Sequence, residues 1–74
     1  MQTVSTTTIN ISVNGVPHQV ADGTTIAALL SKLELAASPV AVEVNLELIP
    51  RARHGEHQLR EQDTLEVVTL VGGG

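Results

Sequence analysis

The residues best placed to do chemistry stand at the end of the sequence. Gly72-Gly73-Gly74 follow directly on an apolar, β-type run, Thr64-Leu65-Glu66-Val67-Val68-Thr69-Leu70-Val71. Glycine lacks a Cβ and can lie in a channel too narrow for any side chain. Three extended residues reach about 10 Å, at roughly 3.3 to 3.6 Å each, which carries the terminal carboxylate clear of a folded body. That carboxylate ionises near pH 3.3 to 3.7 in the absence of perturbation, so at neutral pH it is an anion and a poor electrophile until something activates it. Terminal glycines after a polar linker are ordinarily frayed chain. Here a strand-like segment precedes them, so the tail is expected to leave the fold at a defined place.

A second cluster, His54-Gly55-Glu56-His57, has metal-ligating side chains at close spacing. It does not carry a site. Gly55 disfavours a helical presentation, no third ligand is evident, and two imidazoles in a polar connection are ordinarily solvated. The remaining carboxylates are scattered singly. No nucleophile elbow or glycine-rich phosphate loop precedes a helix, and 74 residues leave little room for a pocket. The chain is therefore expected to be acted on by enzymes rather than to be one.

The elements that must hold the tail can be read from periodicity. Residues 1–8 form a Thr-rich, unpatterned lead-in, expected to be flexible. Ile9, Ile11 and Val13 alternate with polar residues in the period of a half-buried strand. Asn14-Gly15 then supplies a hairpin signal, because a type I′ turn needs positive φ at both central positions. Val16 to Val20 forms the return strand, and Pro17, which lacks an amide donor, assigns it to a sheet edge with His18 at most partly exposed. Thr25 stands as N-cap before Ile26, Leu29, Leu30 and Leu33, an i, i+3, i+4, i+7 stripe. The helical region is expected to end at Ala36-Ala37-Ser38-Pro39. Val40 to Val44 is a third strand, Leu46 to Ile49 a short fourth, and Arg51 to Gln62 a polar connection in which Leu59 plugs the core. The order β-β-α-β-β-β makes this an α+β protein with a mixed sheet of four to five strands on one helix. Its domain runs over 9–71, and 72–74 is a flexible tail.

Composition narrows the function. With no Cys, disulfides, thiolate metal sites and a cysteine nucleophile are excluded. With no Phe, Tyr or Trp the core must be aliphatic. Eight acids against four bases give a net charge of -4, which argues against nucleic acid and for a basic partner surface. Arg51, Arg53 and Arg60 share one short window and read as a solvated loop. No apolar run is long enough for a membrane span and the start has no signal-like segment, so a cytoplasmic location is expected.

The strand order, the Thr-capped helix and the final strand running into Gly-Gly resemble the ubiquitin-like β-grasp fold. More narrowly, Asn45-Leu46-Glu47-Leu48-Ile49-Pro50-Arg51, then Leu59, Asp63 and Val71-Gly72-Gly73-Gly74, are similar to the ThiS family of sulfur carriers in thiamine biosynthesis. The chain departs from the family in having Glu61-Gln62-Asp63 where a turn glycine is common, and in lacking an aromatic near Leu70. The resemblance implies that Gly74 is the modified residue, adenylated and then converted to a thiocarboxylate, with Gly72 and Gly73 as its tether. It implies no bound cofactor, Mg-ATP being used by an E1-like adenylating enzyme of the ThiF type. A sulfur donor protein and a thiazole synthase of the ThiG type complete the expected partners. The small subunit of molybdopterin synthase, which shares the chemistry, and a ubiquitin-like protein modifier are the alternatives, with a non-catalytic interaction domain behind them. Strand parity adds a docking surface: if Leu65 and Val67 face the helix, Glu66, Val68 and Leu70 share the opposite face, and with Val71 they form a patch at the root of the tail.

Overall fold

The computed structural model describes residues 7–70. Six elements and a turn of 3₁₀ helix follow in order: β1 (Thr8–Val13), β2 (Val16–Ala21), α1 (Ile26–Lys32), β3 (Val40–Val44), β4 (Glu47–Ile49), the 3₁₀ turn Arg51–Arg53, and β5 (Thr64–Thr69). The strands form one five-stranded sheet in the order β2-β1-β5-β3-β4. The pairing of β1 with β5 is parallel and the others are antiparallel. The last strand of the chain is thus the central strand of the sheet.

Alternation on each strand sends one set of side chains inward, where they meet the stripe of α1. Ile9, Ile11 and Val13 of β1, Val42 and Val44 of β3, and Leu65 and Val67 of β5 form one core with Ile26, Leu29 and Leu30, and Leu59 closes it from the long connection. The core is wholly aliphatic. Leu33 packs only partly against it, because the helix has already ended there.

Both ends of α1 are set by specific bonds. Thr25 Oγ1 accepts the Ala28 amide at 3.1 Å, as its N-cap position predicts. Thr25→Ala is expected to cost about 0.5 to 2 kcal/mol, measured as a shift in urea midpoint followed by circular dichroism. At the other end the helix stops before the Ala36–Pro39 boundary expected from sequence. Glu34 takes φ +62°, its amide donates to the Ser31 carbonyl at 3.0 Å, and the Leu35 amide donates to Leu30 at 2.7 Å. This is a Schellman closure, which a glycine would have announced and a glutamate hides.

Both hairpins are two-residue turns of the I′ kind. Asn14 and Gly15 have φ of 52° and 81°, and Asn45 and Leu46 have 51° and 70°. The second turn shortens β4, which begins at Glu47 rather than Leu46. Each asparagine also reaches the central strand. Asn14 Oδ1 accepts the Val67 amide at 2.8 Å while its Nδ2 donates to the Val67 carbonyl at 3.0 Å. Asn45 Oδ1 accepts the Thr64 amide at 2.9 Å and its Nδ2 donates to Asp63 Oδ1 at 3.0 Å. These amides imitate a neighbouring backbone where the sheet ladder has run out, so β5 is held beyond its strand pairings.

Arg51, Arg53 and Arg60 are exposed, as expected of a solvated loop, but the backbone of the connection from Arg51 to Gln62 is tied to the body. The Ile26 and Ala27 amides, left without partners at the start of the helix, donate to the carbonyls of His57 (3.0 Å) and His54 (2.9 Å). His54 is buried, and its Nε2 lies 3.0 Å from the Ile49 carbonyl. A carbonyl only accepts, so Nε2 must carry the proton. The expected surface histidine is therefore an interior tie between β4 and the 3₁₀ turn, whereas His57 is half-buried. Further on, Asp63 is buried and accepts the Arg60 amide at 2.8 Å, and Gln62 takes φ +73° in the turn before β5. Beside it the Asn10 backbone amide donates to Glu61, holding that carboxyl below the ordinary value of 4.5.

Candidate functional site

The tail, Val71 and Gly72 to Gly74, lies outside the described residues; its root does not. Thr69 is the Cα partner of Val40 in the last step of the β3–β5 ladder, and the Leu70 amide donates to the Pro39 carbonyl at 2.9 Å. The chain is thus gripped up to Leu70. On the other edge β1 pairs only with Thr64 and Leu65, so the root itself is held by β3 and by the bond from Leu70 to Pro39.

The outer face of the sheet carries the residues that parity selects. Glu66, Val68 and Leu70 are all exposed, Val68 at 54% and Leu70 at 51%, while Leu65 and Val67 are buried. Cross-strand neighbours extend this surface beyond what the sequence suggested. Ala41 pairs with Val68, Glu43 with Glu66, and Leu48 with Glu43, so an aliphatic and acidic band runs from the tail root toward β4. Leu48 is 62% exposed, and Leu46, at the tip of the β3–β4 hairpin, 89%. A leucine this exposed with left-handed backbone geometry is uncommon. Periodicity placed Leu46 inside a strand, and the one signal that could have placed it at a tip was Asn45, a residue suited to the first position of a I′ turn.

Among the described residues no group of three or more His, Asp or Glu side chains is placed to hold a metal ion, and His54 and His57 face different surroundings. No described helix is long and apolar enough to cross a membrane.

Residues 8–74 match the profile of the ThiS family. The chain belongs to that family. It is 42% identical over 53 residues to the sulfur carrier protein ThiS of Bacillus subtilis, covering 72% of this chain and 80% of that one. Its fold is the ubiquitin-like β-grasp of the solved ThiS structures. The crystal structure of the thiamine biosynthesis protein ThiS from Geobacter metallireducens superposes with a TM-score of 0.76 at 33% identity, over 89% of this chain and all of that one (100%). The thiazole synthase of Magnetococcus marinus is 42% identical over 66 residues, 89% of this chain. This chain spans only 20% of that longer protein's length, a share repeated in the thiazole synthase of Paramagnetospirillum magneticum.

Proposed function

We propose that this chain is a sulfur carrier of thiamine biosynthesis, a protein co-substrate whose own terminus is the reacting group. Membership of the ThiS family and the likeness to a ThiS sulfur carrier and to thiazole synthases favour it over the molybdopterin-synthase small subunit and over a protein modifier. In this reading an adenylating enzyme of the ThiF type uses Mg-ATP. The Gly74 carboxylate attacks the α-phosphorus, pyrophosphate leaves, and the resulting acyl adenylate is an electrophile. The outer sulfur of a donor protein's persulfide then attacks the carbonyl carbon and AMP leaves; a thiol cleaves the resulting S–S bond, forming a disulfide with the donor sulfur, and a terminal thiocarboxylate remains. Thiazole synthase takes that sulfur. The observation that carries the reading is the anchoring of the tail root on the central strand, which lets Gly72 and Gly73 reach into a buried site while the body stays docked outside.

The test is intact-mass spectrometry after incubation with the adenylating enzyme, Mg-ATP and a sulfur source. Exchange of one oxygen for sulfur at the chain's own terminus is expected; attachment to lysines of other proteins would instead identify a modifier.

Glu66, Val68, Leu70 and Val71 are the proposed docking residues for these enzymes. Val68→Asp and Leu70→Asp are expected to leave the circular dichroism spectrum and urea midpoint nearly unchanged, because both side chains face solvent. Each is expected to weaken association about tenfold or more, as truncation of an interface anchor does. Unchanged affinity for both enzymes would remove the patch from the docking surface.

A further inference from the structure

Away from the outer face, a cavity of about 200 Å³ opens between α1, the segment leading into β3, and the 3₁₀ turn. Its wall has an apolar part, including Leu30, Ala36 and Val40, and a polar part made by Ser38, Arg51 and His54. Arg51 is its one permanently charged side chain, and no carboxylate lines it. This is unusual for a chain of net charge -4. The hollow beside the β3–β4 turn is walled by Glu47, Glu56 and Asp63 with Arg60, and the one on the outer face by Glu43 and Glu66.

The wall is built from parts that the fold holds firmly. The ring of His54 is tied through Nε2 to the Ile49 carbonyl, and its backbone carbonyl accepts the Ala27 amide. Pro50 enters the 3₁₀ turn in extended geometry, and the Arg53 amide closes that turn on the Pro50 carbonyl at 2.8 Å, which sets Arg51 at the rim. Val40, in the wall, is the partner of Thr69, so the cavity lies next to the root of the tail but on the opposite side of the sheet from Val68.

We propose that this cavity is a binding site for a carboxylate on a short aliphatic arm, the chemistry of a glutamate side chain presented by a docking partner. Arg51 supplies the ion pair, Ser38 a hydroxyl donor, and Leu30 and Val40 the apolar surface against which the arm packs. A guanidinium is the side chain best suited to hold a carboxylate through two parallel bonds. A cavity of this size admits a side chain and not a cofactor. The site would give a partner a basic handhold on the helix side of the tail root, complementary to the acidic and apolar face across the sheet. The proposal relies on the carrier reading only for the identity of that partner.

The test uses the isotopically labelled full chain and small probes, so it does not depend on any enzyme. Butyrate is expected to shift the Ser38 and Gly55 amide signals and the His54 ring signals saturably. It should bind about tenfold more tightly than acetate, since two further methylenes gain apolar contact. Arg51→Ala should weaken butyrate binding about tenfold or more, and Arg53→Ala should leave it unchanged. Shifts that persist in Arg51→Ala, or that never saturate, would overturn the site. Tighter binding of inorganic phosphate than of butyrate would overturn the carboxylate assignment in favour of a phosphate. Neither result alters whether Gly74 can be converted to a thiocarboxylate, so the two readings fail separately.

Discussion

Extending the chain by even one residue beyond Gly74 is expected to abolish charging altogether, and deleting Gly74 to slow it by at least about a hundredfold. The two changes test different things. Extension replaces the glycine carboxylate with a peptide bond and moves the free carboxylate onto a different residue. Deletion keeps a glycine carboxylate, now on Gly73, but leaves it roughly 3.3 to 3.6 Å short. Misplacing a reacting group by about 1 Å can already cost on the order of a hundredfold. Stability should not change in either case, because every altered residue lies beyond the last ladder pair, Val40 with Thr69, and beyond the Leu70 amide that bonds Pro39. Intact, truncated and extended proteins would be compared by intact mass after incubation with the adenylating enzyme, Mg-ATP and a sulfur source. Urea midpoints would be taken alongside. Full charging of the extended form would end the sulfur-carrier reading; full charging of the truncated form would end only the claim that tail length is critical.

Leu29→Ala is expected to destabilise the fold by about 2 to 5 kcal/mol, the range for emptying a fully buried leucine site. Leu29 is 1% exposed and sits where the helix stripe meets the sheet. The core it belongs to is aliphatic and fixed by the strand ladders, the helix and the connection that carries Leu59, so it can collapse into the void only in part. At roughly 0.05 to 0.15 kcal/mol per residue a domain this small has only several kcal/mol of stability in total, and the substitution removes a large share of it. Circular dichroism is the natural readout, since the chain has no Trp or Tyr to report by fluorescence. Leu48→Ala is the control. That side chain is 62% exposed, and its loss should move the midpoint by no more than about 0.5 kcal/mol. Equal midpoints for the two variants would mean that the assigned core is wrong.

The elements of this fold were legible from sequence wherever a pattern repeats. Ile9, Ile11 and Val13, the Ile26–Leu29–Leu30 stripe, and Leu65 with Val67 all fall on the buried side that their spacing assigns. Alternation and the helical period follow from backbone geometry, so a few apolar residues in phase suffice to reveal them. The family was legible for a related reason: the stretch from Asn45 to Arg51 and the final strand running into glycines carry it by residue type rather than by contact. What depended on the folded structure was set by single bonds, some local, as at Glu34, and others between distant segments. Left-handed backbone at Glu34, Leu46 and Gln62 has no glycine to announce it. At Leu46 the neighbouring turn residue Asn45 is tied to Thr64 and Asp63, and at Glu34 amides close on Ser31 and Leu30. His54 reads as a surface histidine until the Ile49 carbonyl and the unpartnered amides at the start of α1 draw its segment inward. The breadth of the outer face was hidden for the same reason, because Glu43 and Leu48 join Glu66 only through the register of β3 between β5 and β4. Periodicity tells which way a side chain points; only the pairing of strands tells what stands beside it.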